Sequence, residues 1–369
     1  MNHAERLAVN ASSCRIKSFI GGHVFSYCGE QYLASPQFIR DGCATNPQNA
    51  TILANTHGKA QTPVDTNHRS KQTGPAQSMR MRLMLLGGGN ALGQALIRLG
   101  AEEDIGFLAP KPPQDGWDAA SLTQLLDDTR PDALINLAYY FDWFQAEAVS
   151  ESRLAAQESA IERLAELCQH HNITLLQPSS YRVFDGSRAT AYSEKDEPVP
   201  LGLRGQALWR IEQSVRATCP QHVLLRFGWL LDDSVDGTLG RFLARAEKPE
   251  ELLMADDRRG NPTPVDDAAR VIISVLKQLD CAAPLWGTYH YAGHEATTPL
   301  ALGQAILTEA RSFRALAIEA PTAQAHAARP DAGEEPQHAV LACKKILHTF
   351  GIKPQIGRAS CRERVYGEC

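Results

Sequence analysis

The 369-residue sequence has no CxxC pair and no metal-ligand spacing among its nine cysteines, at 14, 28, 43, 168, 219, 281, 343, 361 and 369. Scattered thiols point to a reducing compartment and away from a disulfide framework or a zinc site. Long apolar runs are missing too: aliphatic stretches such as Val271-Ile272-Ile273 fall far short of a bilayer span. No charge of one sign dominates. A formal charge of −5 gives no electrostatic reason to bind nucleic acid or an anionic membrane, so neither partner is expected. The N-terminus carries Glu5 and no sustained apolar segment, so no secretory leader is expected and the setting reads as cytoplasmic. What is present is material for a core, with 43% of residues apolar and 21% charged.

The two ends read differently from the middle. From Cys43 to Ser78 the chain is dominated by Thr, Asn, Gln, Ser, Pro, Gly and His, with little apolar periodicity. Residues 1–78 are expected to be a non-native or disordered extension, with the natural start at Met79 or Met81; a regulatory or targeting arm is the alternative. Residues 354–369 are polar and patternless and read as an artefactual tail.

Between the ends, strands and helices alternate. Leu83–Leu86 reads as a strand and Leu92–Leu99 as a helix, followed by a strand at Ile105–Leu108. A helix from Ala119 to Asp128 is capped by Asp118, and Ala133–Asn136 is a short buried strand. A long amphipathic helix spans about Gln145 to His170. Strands at Ile173–Gln177 and Val223–Arg226 flank a helix at 203–217, and a last helix over His338–Phe350 closes at Gly351. The pattern predicts an α/β fold: a Rossmann-type doubly wound parallel sheet over 79–353.

The strongest local signal is the turn Gly87-Gly88-Gly89-Asn90-Ala91-Leu92-Gly93, set after a strand and before a helix. Glycines let the backbone turn tightly and approach a pyrophosphate, which the free N–H groups of the helix N-terminus receive. A structural turn without ligand is the plainer reading of the same residues.

From this point the chain resembles the extended short-chain dehydrogenase/reductases, and within them the dTDP-4-dehydrorhamnose reductase family. The resemblance runs from Arg82 to about Lys353 and implies a small C-terminal substrate-binding lobe, mainly 229–264 and 287–353. Arg130-Pro-Asp-Ala-Leu-Ile-Asn136-Leu-Ala138 is similar to the segment beside the nicotinamide ribose. Ser179-Ser180-Tyr181-Arg182-Val183-Phe184-Asp185-Gly186 resembles the block Ser-Thr-Asp-Tyr-Val-Phe-Asp-Gly. Arg226-Phe-Gly-Trp229 resembles a strand reaching the substrate nucleotide, and Gly260-Asn261-Pro262-Thr263 follows in order. The resemblance implies a dinucleotide held by Gly87, Gly89, Asn90, Leu92, Gly93, Lys111, Asn136, Ala138 and Ser179, and a nucleotide sugar near Arg226, Trp229, Asn261 and Pro262. It also implies a homodimer or a partner protein. NADP is favoured over NAD, because the second strand ends Leu108-Ala109-Pro110-Lys111 without an acid for the ribose hydroxyls.

The catalytic centre departs from the family. A Tyr-x-x-x-Lys pair on one helix face lets lysine lower the tyrosine pKa, and the tyrosine then donates a proton to a carbonyl. Those positions here are Arg204 and Leu208, and no tyrosine in the chain has lysine four residues later. Ser180 replaces a threonine and Tyr181 an acid; the two would face opposite sides of a continuing strand. Asn90, at a glycine position, tolerates a left-handed backbone but would intrude where a pyrophosphate approaches. Arg204 suits a phosphate or carboxylate, or only solvent; Trp229 suits a base, or only the core. The leading expectation is a nucleotide- and nucleotide-sugar-binding protein without catalysis. An active NADPH-dependent reductase using Ser180 or Tyr181, and a scaffold without cofactor, remain alternatives.

Overall fold

The structure is a computed structural model that describes residues 16–20, 23–27, 81–140, 150–281, 284–312 and 314–354. Within the first 78 residues the described part is an antiparallel hairpin of β1 (Ile16–Ile20) and β2 (His23–Tyr27). The rest of that segment, and 355–369, lie outside the described residues, as does the start of the long helix expected from Gln145.

The main body is built on six parallel strands. β3 (Leu83–Leu86) is flanked by the edge strand β4 (Phe107–Leu108) and by β5 (Ala133–Asn136). Then come β6 (Thr174–Ser180), β7 (His222–Phe227) and, after β8–β11 of the smaller lobe, β12 (Gly287–Tyr291). The spatial order is β12-β7-β6-β5-β3-β4. Every residue of β3, β5, β6 and β7 is buried, as expected of strands covered on both faces.

Helices cover the two faces. On one, α1 (Ala91–Glu102), α6 (Val265–Asp280) and α8 (Lys344–Phe350) bring Leu92, Leu96, Ile272, Val275 and Phe350 against Leu83, Leu85 and Ile135. On the other, α2 (Ala119–Thr129), α3 (Glu151–His171) and α4 (Gly202–Thr218) bring Leu126, Leu164, Leu208 and Val215 against Met84, Leu134 and Leu175. The doubly wound parallel sheet is therefore as the alternation of elements predicts. Asp118 caps α2, its carboxylate accepting from the Ser121 amide at 2.8 Å.

Two boundaries differ from the sequence reading. The second strand is only Phe107–Leu108, because an edge strand has one partner; Ile105 still packs into the core. His338 and Ala339 are strand, not helix: β14 (His338–Ala339) is captured by β10 (Arg259–Gly260), and α8 begins only at Lys344. Gly351, at φ 69°, ends α8 as expected.

The smaller lobe pairs β8 (Trp229–Leu231) with β11 (Pro262–Pro264), and β9 (Leu253–Ala255) with β13 (Thr322–Gln324). Its helices α5 (Thr238–Ala246) and α7 (Pro299–Ala310) share a small core of Leu239, Leu243, Ile306 and Ala310. Among the described residues no helix is long and apolar enough to cross a membrane, and no cluster of His, Cys, Asp and Glu could hold a metal.

Candidate functional site

The sheet order reverses at β3: the chain leaves it toward β4 and returns on the other side as β5. Such a switch point opens a crevice at the carboxyl ends of the strands. Gly87 sits there at φ 81°, and a Cβ on it would lie 2.5 Å from the Leu137 carbonyl. A Cβ on Gly93 would lie 2.4 Å from the Gly87 oxygen, so α1 reaches the turn only through glycine. Gly89 is different. It is exposed and has nothing within 4 Å of a Cβ position, which leaves backbone facing open space.

Asn90 behaves otherwise than its sequence position suggests. Its backbone is extended, φ −84° and ψ 170°, not left-handed. Its Oδ1 accepts from the Gly93 amide at 2.9 Å and its Nδ2 donates to the Leu137 carbonyl at 2.9 Å. The side chain is thus folded back as a helix cap that ties α1 to β5, and it does not intrude on the open side of the turn. The amides of Ala91 and Leu92 lie in the first helical turn, where an α-helix leaves donors without intrahelical acceptors. The Leu92 side chain is buried in the core, so that residue offers only its backbone.

Beside the turn lies a cleft of about 720 Å³, lined by Gly87, Pro112, Trp117, Ala138, Tyr139 and Gln157 among others. Tyr139 holds its wall: the phenol donates to the Trp117 carbonyl at 2.8 Å and accepts from the Trp117 amide at 3.0 Å. Lys111 is exposed on the loop that supplies Pro112. Asn136 is 3% exposed and braces β5 to β6 through Gln177 at 2.8 Å, while its Oδ1 accepts from the Ala138 amide. Of these, Ala138 faces the cleft and Asn136 supports it.

A second pocket, of about 330 Å³, opens between the end of β6 and the smaller lobe. The strand stops at Ser180, and Tyr181–Val183 turn into one 3-10 turn, with Ser180 Oγ accepting from the Arg182 amide at 3.4 Å. That turn brings Ser180 and Tyr181 to the same pocket, correcting their expected placement on opposite faces. Tyr181 donates to Glu335 at 2.9 Å and accepts from Arg258 at 3.1 Å; Glu335 is also paired with Arg182 and Arg258. Burial pushes the Tyr181 phenol up, and the neighbouring Glu335 adds to the shift. Burial also disfavours ionised Glu335, but Arg182 and Arg258 outweigh it and hold the carboxyl below its usual range.

The helix expected to carry the proton donor is α4. Its Arg204 donates to Glu334 at 3.2 Å, and Leu208 is 1% exposed within the core. The fork of Arg204 is thus engaged by a carboxylate of the chain itself.

Three other expected residues, Arg226, Ser179 and Asn261, turn inward. Arg226, expected toward a substrate, is 2% exposed and bound through Nε and Nη2 to Glu212, at 2.8 and 2.6 Å. Ser179 donates to Glu212 at 2.5 Å, and Arg216 and His290 complete the knot. Asn261 clamps two loops, donating to the Gly293 carbonyl at 2.8 Å and accepting from the Leu341 amide at 3.2 Å. Pro262 pairs with Trp229 across β8 and β11. Trp229 does reach the pocket, packed on Gly260, with the Arg258 guanidinium 5.1 Å from the ring centroid.

Arg182, Arg258 and Glu335 are the pocket residues that the sequence reading passed over. Arg182 stands within the quoted Ser-Ser-Tyr-Arg block, at the tyrosine of the resembled pattern, and was legible there. Glu335 had no signal: it is 154 positions from Tyr181, in a loop without periodicity.

The RmlD substrate binding domain family model matches residues 81–365. A dTDP-4-dehydrorhamnose reductase from Aggregatibacter actinomycetemcomitans is 26% identical over 294 residues, 78% of this chain and 99% of that one. Among solved structures, dTDP-4-dehydrorhamnose reductase from Bacillus anthracis, in complex with NADP, aligns with a TM-score of 0.65 at 20% identity, over 79% of this chain and 100% of that one. The Bordetella bronchiseptica enzyme WbmG, in complex with NAD and UDP, aligns at 0.60 and 17% identity, over 75% and 91%. The two structural likenesses show a shared fold. With the glycine turn at the switch point and the pocket against the smaller lobe, the match over most of its length establishes that this chain belongs to the RmlD substrate binding domain family.

Proposed function

We propose that the chain binds a nicotinamide dinucleotide along the glycine turn and, in the second pocket, the sugar end of a nucleotide sugar, without supplying the family's proton donor. Gly87 and Gly93 close the turn and Gly89 leaves its outer side open, so the residues present fit a pyrophosphate held by the first-turn amides of α1. A nicotinamide dinucleotide supplies hydride chemistry when bound. The absence of an acid after β4, with Lys111 on the loop, favours NADP. Solved structures of similar fold hold NADP in one case and NAD with UDP in another, which supports a dinucleotide together with a nucleotide-bearing ligand. Among the described residues Cys168, Cys219, Cys281 and Cys343 are free thiols, which supports a reducing, cytoplasmic setting.

The observation that carries the non-catalytic reading is α4. A proton donor there needs a phenol held near a lysine on one face. Here the first position is Arg204, ion-paired with Glu334, and the second is Leu208, sealed in the core. Neither can deliver a proton to a carbonyl.

A second reading, a slow reductase, draws on Tyr181 and Ser180 lining the pocket. It is disfavoured because the Tyr181 proton is given to Glu335 and burial raises the phenol pKa, making it a weaker acid.

Titration calorimetry with NADPH and NADH, followed by NADPH oxidation with a nucleotide 4-ketosugar, separates these readings. Binding without turnover is expected. Turnover that falls by about 10²-fold or more in Tyr181→Phe would establish the reductase reading instead. No binding of either cofactor at millimolar concentration would leave only an interaction scaffold.

A further inference from the structure

Among the described residues lining it, the second pocket sets three guanidinium groups against two carboxylates. Arg182, Arg241 and Arg258 line it, against Asp331 and Glu335. Asp331 is divided between Arg329, which holds its two oxygens at 2.8 and 3.0 Å, and the nearby charge of Arg258. Glu335 is shared between two buried arginines, Arg182 and Arg258. Arg241, exposed at the mouth, donates to the Asp236 carbonyl at 2.7 Å and has no carboxylate partner among the described residues. Arg258 is 9% exposed, yet its Nε is buried without an acceptor among the described residues.

Excess charge and an unmet donor in a buried site are costly unless an anion completes them. The guanidinium planes are held in place: Arg258 lies 5.1 Å from the Trp229 ring centroid and Arg182 5.9 Å from that of Tyr181. Planar forks of this kind suit a carboxylate, and Glu335 already occupies one such seat. Arg182 replaces a tyrosine of the resembled block, so this charge is a feature of the chain. A volume of about 330 Å³ is small for a ligand pocket and suits one sugar ring better than a whole nucleotide sugar.

We propose that the pocket reads a carboxylate on the sugar, so that its ligand class is a uronic acid, free or carried on a nucleotide. The nucleotide part rests on the functional reading above; the carboxylate part stands on the arginines.

The test is calorimetric titration of the full chain with glucuronate, glucose and glucose 6-phosphate, with no nucleotide present. Glucuronate is expected to bind at least about tenfold more tightly than glucose, the effect of one charge-assisted contact, and more tightly than glucose 6-phosphate. Arg241→Gln, at the exposed mouth where folding is not at stake, should reduce that preference severalfold. Arg182→Gln combined with Glu335→Gln neutralises both partners together and should abolish it. Equal binding of glucuronate and glucose, tightest binding of glucose 6-phosphate, or a preference that survives both variants would overturn the proposal. Because no dinucleotide enters the titration, failure of NADPH to bind would overturn the functional reading while leaving this result to stand.

Discussion

Substitution of Glu212 by glutamine tests whether Arg226 belongs to the interior or to a ligand. Glu212 has no exposed surface, and it accepts from Arg226 at 2.8 and 2.6 Å, Arg216 at 2.5 Å and Ser179 at 2.5 Å. Glutamine keeps the shape but removes the charge, leaving Arg226 as a cation with 2% exposure beside neutral His290. Removing one partner of a buried pair costs about 3–5 kcal/mol, against about 0–1 kcal/mol for an exposed pair. At roughly 2–4 °C per kcal/mol for a domain of this order, Tm should fall by roughly 6–20 °C. Thermal unfolding followed by tryptophan fluorescence reads this directly. Glu212→Leu with Arg226→Met, an apolar replacement of both partners, should recover most of the loss. A loss under about 1 kcal/mol would refute the reasoning, since it would mean that Arg226 does not depend on Glu212.

Other consequences follow from the same contacts. Asn90→Ala removes the cap on Gly93 and the tie to Leu137, and should cost about 1 kcal/mol in urea denaturation; an unchanged midpoint would contradict the capping role. Gly93→Ala places a methyl 2.4 Å from the Gly87 oxygen, so it should open the turn and abolish NADPH binding by calorimetry, with Gln94→Ala as an unaffected control. The His290 imidazole is pushed down to about 3 by burial and then by Arg226. Its folded pKa lies below the unfolded value near 6.5, so the unfolded chain binds the extra proton and stability is lost as pH falls from about 6.5 toward 3. His290→Asn should flatten that part of the stability–pH curve, and an unchanged slope would remove His290 as its cause.

Much of the architecture was legible in the order of residues. Period and punctuation fixed the strands at Leu83–Leu86 and Ala133–Asn136, the Asp118 cap and the Gly351 stop, because each depends on neighbours a few positions away. The loss of a Tyr-x-x-x-Lys pair was likewise readable, since composition along one helix decides it. Side-chain direction was not. Asn90 could have pointed outward from the turn; the Gly93 amide and the Leu137 carbonyl, just past the end of β5, draw it inward. Arg226 sits on a strand that could face either layer; Glu212 and His290, brought from α4 and β12, decide that it faces the core. Ser180 and Tyr181 share a pocket because β6 breaks into a 3-10 turn. Sequence alone determined the layered α/β frame and the absence of a Tyr-x-x-x-Lys pair. Tertiary structure decided the charge of the pocket, because Arg182, Arg258 and Glu335 come from three distant segments and meet only when the smaller lobe folds against the sheet.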